Sequence, residues 1–144
     1  MNVFIIGSPL QTAMALDKKR LNKQIVECRQ ILSALKGETT AWRNHPATLQ
    51  YKGHERWLGN YLACLLRYRA GEIERAKTSD MVCKACTPEF HTLGYFQQMK
   101  RRLYTKNPEF YSDWAYLGTS EVNWYFVEGE WRYYVKGKRV NYLF

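Results

Sequence analysis

The sequence is poor in acidic residues. Asp and Glu together number 13 against 22 Lys and Arg, which gives a formal net charge of +9. Such an excess of positive charge favours a polyanionic partner, and nucleic acid is the first candidate. The 11 Tyr and 5 Trp strengthen this interpretation modestly, because aromatic rings stack on exposed bases. A basic protein that is merely soluble fits the charge about equally well.

Long apolar runs are also missing. No stretch approaches the length of a membrane-spanning helix, so we expect no membrane association. Residues 3–6 are apolar, but this run is far shorter than a signal-peptide core and lacks a basic leader. Cys28 and Cys64, two of the four cysteines, fall in predicted helices, which indicates free buried thiols rather than a disulfide framework. We therefore expect a cytoplasmic protein.

Residues that bind metals are few. Cys83 and Cys86 form a CxxC motif with His91 nearby, but no second CxxC follows. A structural zinc site needs four ligands at suitable spacing. The three histidines are spread along the chain and do not form a site by themselves. We therefore predict no metal and no other cofactor.

The fold class follows from length and apolar periodicity. With 144 residues and 46% apolar content, the chain has enough material for one core and one domain, residues 1–144. Residues 122–127 and 131–135 are rich in aromatic and β-branched residues around Gly129, which predicts a β-hairpin. We predict a mainly α, compact single-domain helical bundle with a short C-terminal β-hairpin. In the amino-terminal half we predict an extended segment at 3–6, a helical turn at 10–16, and helices from Asp17 to Gly37, from Pro46 to Gly53 and over 54–69. A short helix over 72–77 and a loop over 78–87 should follow. The last predicted helix runs from Thr87-Pro88 to Asn107, with Leu93 facing inward, and one more turn follows at 108–114.

The first long helix carries a single acid, Glu27. Its apolar residues recur at steps of three and four, so they share one face, and Asp17 can cap the start of the helix. Glu27 lies about 120° from the centre of this apolar stripe, on the flank with Arg20 and Lys23. The carboxylate could therefore point into a cleft at the rim of the core. The same spacing also fits an exposed helical pair of Glu27 with Lys23.

Other polar residues allow both structural and binding roles. Arg43, Asn44 and His45 directly precede Pro46, where they could cap a helix or bind a ligand. His54 and His91 could each be a buried core histidine. Two basic runs are the strongest phosphate-binding candidates, although charge runs on helices are usually solvated faces: Lys18-Lys19-Arg20 and Lys100-Arg101-Arg102.

Several blocks of the sequence resemble a bacterial branch of the pyrimidine-dimer DNA glycosylases, the family of phage T4 endonuclease V. The most specific block is Trp42-Arg43-Asn44-His45-Pro46-Ala47. Pro46 is followed by Gly53-His54 at the family's spacing, and Glu27 falls on the family's catalytic glutamate. The other matching blocks are Leu16-Asp17, Arg20-Leu21, Lys23-Gln24, Val26-Glu27, Gln30-Ile31-Leu32, Ala34-Leu35, Pro88-Glu89-Phe90-His91 and Lys106-Asn107-Pro108.

The resemblance implies a DNA-repair enzyme with glycosylase and abasic-site lyase activity. Its nucleophile would be an amine, either the α-amine of Met1 or Lys23 if burial depresses the lysine pKa. The amine would form a Schiff base with the deoxyribose, and Glu27 would orient the sugar and move protons. We expect double-stranded DNA as the partner and a monomer as the active form. The predicted DNA-binding residues are Lys18, Lys19, Arg20, Arg43, Asn44, His45, His54, His91, Lys100, Arg101 and Arg102.

Two other functions remain open from the sequence. The same fold could act on another modified base, in a phage or a mobile element. It could also bind DNA without catalysis.

Overall fold

The computed structural model describes residues 2–84 and 86–135. Helices dominate this part of the chain, and a two-stranded antiparallel sheet follows them, so the predicted mainly α fold with a hairpin is confirmed. Among the described residues, no helix is both long and apolar enough to cross a membrane. The elements in chain order are α1 (Pro9–Ala15), α2 (Lys18–Leu35), α3 (Pro46–Gln50), α4 (Glu55–Arg69), α5 (Ile73–Lys84), α6 (Leu93–Lys106), a 3-10 helix (Ser112–Leu117), β1 (Val122–Val127) and β2 (Glu130–Val135).

Helices α2 and α4 form the centre of the core. The buried face of α2 includes Ile25, Cys28 and Ile31, and it packs against the face of α4 that carries Trp57 and Tyr61. These side chains are at most 1% exposed. Their three- and four-residue spacing is the reason that both segments are helical and that both bury one face.

The amino-terminal segment crosses this core in an extended conformation. Val3 and Ile5 are completely buried, as their apolar character predicts. An extended segment in a core needs partners for its main-chain groups. The side chain of Gln24 supplies two of them, because its amide nitrogen donates to the carbonyl of Asn2 at 2.8 Å and its amide oxygen accepts from the backbone N–H of Phe4. The hydroxyl of Tyr61 donates to the carbonyl of Phe4 at 2.6 Å.

The predicted hairpin is present, with its turn at the predicted glycine. Val127 pairs with Glu130, and the two residues between them, Glu128 and Gly129, have φ values of 54° and 76°. Positive φ at both central positions matches a turn whose twist suits a two-residue hairpin. Tyr125 and Val127 face the core, and α3 packs beside β1.

Helices α5 and α6 differ from the prediction. The polar helix predicted for residues 72–77 continues to Lys84, because Ala76, Ser79 and Cys83 are buried at helical spacing and α5 packs on α4. The predicted helix start at Thr87-Pro88 is wrong. Residues 88–92 form a turn, and α6 begins at Leu93, where the hydroxyl of Thr92 accepts a hydrogen bond from the backbone N–H of Tyr95.

Two side chains in these helical segments also lie differently from the prediction. Leu93 is 70% exposed instead of facing inward, because the helix begins one turn later than its apolar pattern suggested. Asp17 occupies the cap position before α2, but its side chain makes no capping hydrogen bond. It is bonded instead to the hydroxyl of Tyr111, far along the chain.

Candidate active site

The carboxylate of Glu27 lies at the floor of a small cleft between α2, the amino-terminal segment and the end of α6. Glu27 is only 9% exposed. The cleft has a volume of about 50 Å³. A cleft of this size holds a few water molecules, so a sugar would have to meet Glu27 at its mouth. The lining residues are Asn2, Phe4, Arg20, Lys23, Gln24, Glu27 and Lys106.

The carboxylate of Glu27 faces the main chain of the amino-terminal segment. The backbone N–H of Asn2 donates to Oε2 of Glu27 at 3.3 Å. Lys23 also lines the cleft, but its side chain is exposed. The interpretation of Glu27 and Lys23 as an ordinary exposed pair is therefore wrong, because a surface pair would leave the carboxylate in solvent.

Gln24 is the site residue that the sequence did not single out. It is 1% exposed, and it holds the segment that presents Asn2 to Glu27. Its position between Lys23 and the apolar Ile25 marked it only as a polar residue near the core face. The amide side chain of Asn2 adds a second attachment, because it donates to Oδ1 of Asn123 in β1 at 2.8 Å.

Arg20 is positioned by a buried cluster at the start of α2. Its guanidinium lies 3.9 Å from Oδ2 of Asp17. The hydroxyl of Tyr111 donates to Oδ1 of Asp17 and accepts from the backbone N–H of the same residue at 2.9 Å. Burial raises the pKa of Tyr111 well above its usual value, so the hydroxyl keeps its proton. The cluster holds Arg20 at the cleft as a fixed cation.

Lys106 is the second cleft residue that the sequence did not select for binding. It ends α6, directly before Asn107-Pro108, and its side chain is exposed. The only signal was the Lys106-Asn107-Pro108 block, whose asparagine and proline also mark an ordinary helix end. Tertiary packing alone brings this lysine opposite Glu27.

The three residues before Pro46 do not form one site: His45 contacts α3, whereas Arg43 and Asn44 line a separate cavity. His45 caps α3, because its Nδ1 accepts from the backbone N–H of Ala47 at 3.0 Å. Desolvation lowers the pKa of His45 to about 4, so the ring is neutral near pH 7. Arg43 and Asn44 are exposed and line a different cavity of about 370 Å³, together with Lys52. They do not line the Glu27 cleft.

His54 and His91 lie in an aromatic cluster and line none of the cleft around Glu27. Nε2 of His91 and the hydroxyl of Tyr51 are 2.8 Å apart, and the His91 ring is 4.5 Å from the Trp57 ring. Desolvation lowers the pKa of His91 to about 3. His54 packs edge-on against Phe90 at 5.8 Å. Both histidines therefore have packing partners that match the core-histidine interpretation.

The two basic runs have different surroundings. Lys18 and Lys19 are exposed beside Arg20, so this run lies at the edge of the Glu27 cleft. The run at 100–102 is not one exposed cluster. Arg102 is 4% exposed, donates to the carbonyl of Ser120 at 2.9 Å and lies 3.7 Å from Glu121.

The other two members of the second run are partly buried. The ammonium group of Lys100 lies 5.6 Å from the centre of the Trp114 ring. Arg101 is also only partly exposed. Helical spacing turns three adjacent residues to different directions, which is why a run in the sequence does not become a patch on the surface.

The cysteines are thiols. Burial raises the pKa of Cys64 and Cys83 to about 12, and Cys86 is partly exposed. No group of three or more His, Cys, Asp or Glu residues suited to a metal ion occurs within residues 2–84 and 86–135.

Comparison with known proteins supports the family resemblance over the amino-terminal part of the chain. The family model described as pyrimidine dimer DNA glycosylase matches residues 1–68. This confirms the family resemblance, while the bacterial branch stays a prediction. The matched region includes Arg20, Gln24, Glu27 and the loop before Pro46, but it ends before Lys106 and Asn123. The searches of curated proteins and of solved structures found no match.

Proposed function

Because residues 1–68 match the family model described as pyrimidine dimer DNA glycosylase, we propose that this protein removes a damaged pyrimidine from DNA through an amine nucleophile assisted by Glu27. The proposal extends to cleavage of the resulting abasic site. The nucleophile in this proposal is the α-amine of Met1, which requires Met1 to be the first residue of the active protein.

One observation carries the proposal: the backbone nitrogen of Asn2 lies 3.3 Å from Oε2 of Glu27. The α-amine of the preceding residue is three covalent bonds from that nitrogen. Standard bond lengths keep the two nitrogens within about 4 Å of each other. Bond lengths therefore limit an α-amine on the residue before Asn2 to at most about 7 Å from the carboxylate, which supports the proposal.

An α-amine suits this chemistry. Its usual pKa is about 7.7 to 8.0, against about 10.4 for a lysine, so much more of it is unprotonated at neutral pH. The amine nitrogen attacks C1′ of the damaged nucleotide, the bond between C1′ and the base breaks, and the base leaves with the bonding electrons. The departing base takes up a proton. The attached amine loses a proton, the ring oxygen O4′ leaves C1′ with its bonding electrons and takes up a proton, and the resulting C1′=N bond is the Schiff base.

Glu27 contributes charge and proton transfer. Its carboxylate stabilises the positive charge that develops on the sugar during bond cleavage. In strand cleavage it accepts a proton from C2′, and the electrons of that bond expel the 3′ phosphate by β-elimination. The Asn2 hydrogen bond aims the carboxylate at the cleft before the substrate arrives.

Lys23 is less suited to the nucleophilic role. It borders the same cleft, but its side chain is exposed, so it lacks the burial that would activate a lysine. Its positive charge, with those of Arg20 and Lys106, instead suits the phosphates that flank the reacting nucleotide. Lys18 and Lys19 extend this basic surface along the start of α2.

Borohydride trapping on ultraviolet-irradiated duplex DNA tests the proposal. We expect a covalent adduct with the wild-type protein and a loss of at least a hundredfold in adduct formation with Glu27→Gln. Peptide mapping of the adduct by mass spectrometry should place the DNA on residue 1. An adduct on Lys23 would overturn the assignment of the nucleophile.

The matched control is Glu55→Gln, which removes a carboxylate at the start of α4, outside the cleft. It should trap DNA as the wild type does. If the wild type binds irradiated duplex but gives neither adduct nor strand cleavage, the protein is a DNA-binding protein without this catalysis.

A further inference from the structure

Trp42 has an unusual backbone and an unusual exposure. Its φ is +65°, a left-handed conformation that bulky residues rarely adopt, and its side chain is 44% exposed. Because the indole is partly in solvent, its packing adds little stability. Packing of the indole in the core therefore does not compensate for the backbone strain at the positive φ. Strained residues of this kind occur preferentially at functional sites.

The loop fixes the position of the Trp42 backbone. The carbonyl of Trp42 accepts from the backbone N–H of His45 at 3.1 Å, and the two rings meet edge to face with centres 5.7 Å apart. His45 is itself anchored to α3 through Ala47 and contacts Tyr125 of β1 at 5.9 Å. The indole therefore projects from a loop that hydrogen bonds and ring contacts anchor to α3 and β1.

The indole borders an open groove of about 590 Å³ along α2. Gln30, which lines this groove, follows Glu27 by three residues and so lies on the next turn of α2. Val26, directly before Glu27, also lines the groove and is 51% exposed. The groove and the Glu27 cleft are thus neighbours on one helix.

The charged residues that line the groove balance each other, within a chain that is strongly basic. Among the residues that line the groove, Arg29 is positively charged and Glu38 is the one acid. The chain as a whole carries a formal charge of +9. An exposed aromatic ring beside a cation, next to a cleft that takes a nucleotide, matches the combination that stacks on bases and meets phosphates.

We propose that Trp42 inserts into the DNA duplex beside the damaged nucleotide and stacks on the base next to the gap that this nucleotide leaves. The inference rests on the proposed function. Rotating a nucleotide out of the duplex costs stacking energy, and an apolar wedge in the gap compensates for part of that cost. The backbone hydrogen bond and the ring contact between Trp42 and His45 hold the strained loop in place, so less conformational freedom is lost on insertion.

Fluorescence of 2-aminopurine tests the insertion without any reaction. The probe is a duplex with 2-aminopurine next to a tetrahydrofuran abasic analogue, which no lyase can cleave by Schiff-base chemistry. Stacking of an indole on 2-aminopurine should quench its fluorescence severalfold at saturating wild-type protein. Trp42→Ala, added to saturation, should leave most of the fluorescence. Equal quenching by the two proteins would overturn the proposal.

Three variants separate stacking from a role in loop shape. On irradiated duplex we expect kcat/KM to fall at least tenfold for Trp42→Ala, and to change less than threefold for Trp42→Phe, which keeps an aromatic ring. Trp42→Gly relieves the backbone strain at the positive φ, and its kcat/KM should be as low as that of Trp42→Ala. If Trp42→Gly keeps wild-type activity, the residue only shapes the loop and the proposal fails.

The control is Met81→Ala, which removes an apolar side chain that is more exposed than Trp42 (68% against 44%) from α5, away from both cavities. It should behave as the wild type in both assays. The outcomes also separate this proposal from the enzymatic one. Absence of an adduct with the wild type rejects the enzymatic mechanism, whereas the 2-aminopurine result alone decides whether Trp42 stacks.

Discussion

The main-chain nitrogen of Asn2 lies 3.3 Å from the carboxylate of Glu27, across 25 residues of chain. This contact joins the amino-terminal segment to the middle of α2, and it places a nearly buried acid beside the start of the chain. The arrangement requires the segment to be held firmly, because an extended strand of four residues has no fixed position by itself. Gln24 provides this attachment.

Replacing Gln24 should affect stability and activity together. Gln24→Ala removes the hydrogen bonds to Asn2 and Phe4 and leaves their main-chain groups without these partners in the core. We expect a loss of about 2 to 4 kcal/mol in the free energy of unfolding. Urea denaturation measures it. Gln97→Ala, at an exposed position on α6, should change it by less than about 0.5 kcal/mol.

Activity gives a second measure of the Gln24 attachment. Borohydride trapping under conditions where Gln24→Ala is still folded should decrease at least tenfold, because Gln24 no longer holds Asn2 beside Glu27. A folded variant that traps DNA at the wild-type rate would contradict this role for Gln24.

Removing the hydroxyl of Tyr111 should loosen the start of α2. Tyr111→Phe deletes the donor to the Asp17 carboxylate and the acceptor of the Asp17 backbone N–H. A hydrogen bond to a charged group contributes about 1.5 to 3 kcal/mol, so we expect a loss of that size in the free energy of unfolding. Tyr116→Phe serves as the control, because Tyr116 is 78% exposed. Equal effects of the two substitutions would contradict the role of the cluster.

The salt dependence of DNA binding should identify the cations that meet phosphates. Lys23→Ala and Lys106→Ala each remove an exposed charge from the cleft. Each should flatten the slope of log affinity against log salt by about 0.9 if the residue contacts one phosphate. Lys84→Ala on α5 removes an equally exposed charge away from the cleft and should leave the slope as it is. A slope unaffected by either cleft substitution would place the DNA on another surface.

Arg102 should behave differently from these lysines. It is buried beside Ser120 and Glu121, so Arg102→Ala should lower the free energy of unfolding rather than the salt slope. We expect a cost of about 1 to 3 kcal/mol, because the carbonyl of Ser120 loses its donor and a buried space opens, whereas Glu121 is 56% exposed and can be solvated. Thermal and urea denaturation measure this cost. A stable variant with a flatter salt slope would show that Arg102 binds DNA directly.

The sequence predicted the elements better than the contacts between them. Local signals were sufficient for the hairpin, for α2 and for Pro46 as the first residue of α3, because periodicity and turn residues act over a few positions. The end of α5 and the start of α6 were predicted wrongly, since burial against α4 and the Thr92 cap decided them. Tertiary packing overrides local preference at such boundaries.

The candidate site shows the same limit. Glu27 was selected as a candidate because it is a lone acid at the edge of an apolar stripe and because it matches a family position. Gln24 and Lys106 were missed as site residues, since only the folded chain brings them to the cleft. Three adjacent polar residues, Arg43, Asn44 and His45, looked like one unit in the sequence, but the turn that contains them directs two of them to another cavity.

Stability should fall in mild acid partly because of His45. Its folded-state pKa is lowered by desolvation to about 4, whereas a histidine in the unfolded chain has a pKa of about 6.5. The unfolded state therefore binds a proton at a pH where the folded state does not. The resulting stability is complete above about pH 6.5 and is lost progressively as the pH falls toward 4.

The substitution His45→Asn isolates this contribution. Asparagine keeps a side-chain acceptor for the cap of α3 but does not titrate. Between pH 7.5 and pH 5, the free energy of unfolding of the wild type should fall by up to about 2 kcal/mol more than that of His45→Asn, measured by urea denaturation. His91, whose pKa is lowered to about 3, is present in both proteins, so its effect cancels in the difference. Parallel pH profiles would show that the folded protein accepts a proton on His45 without cost.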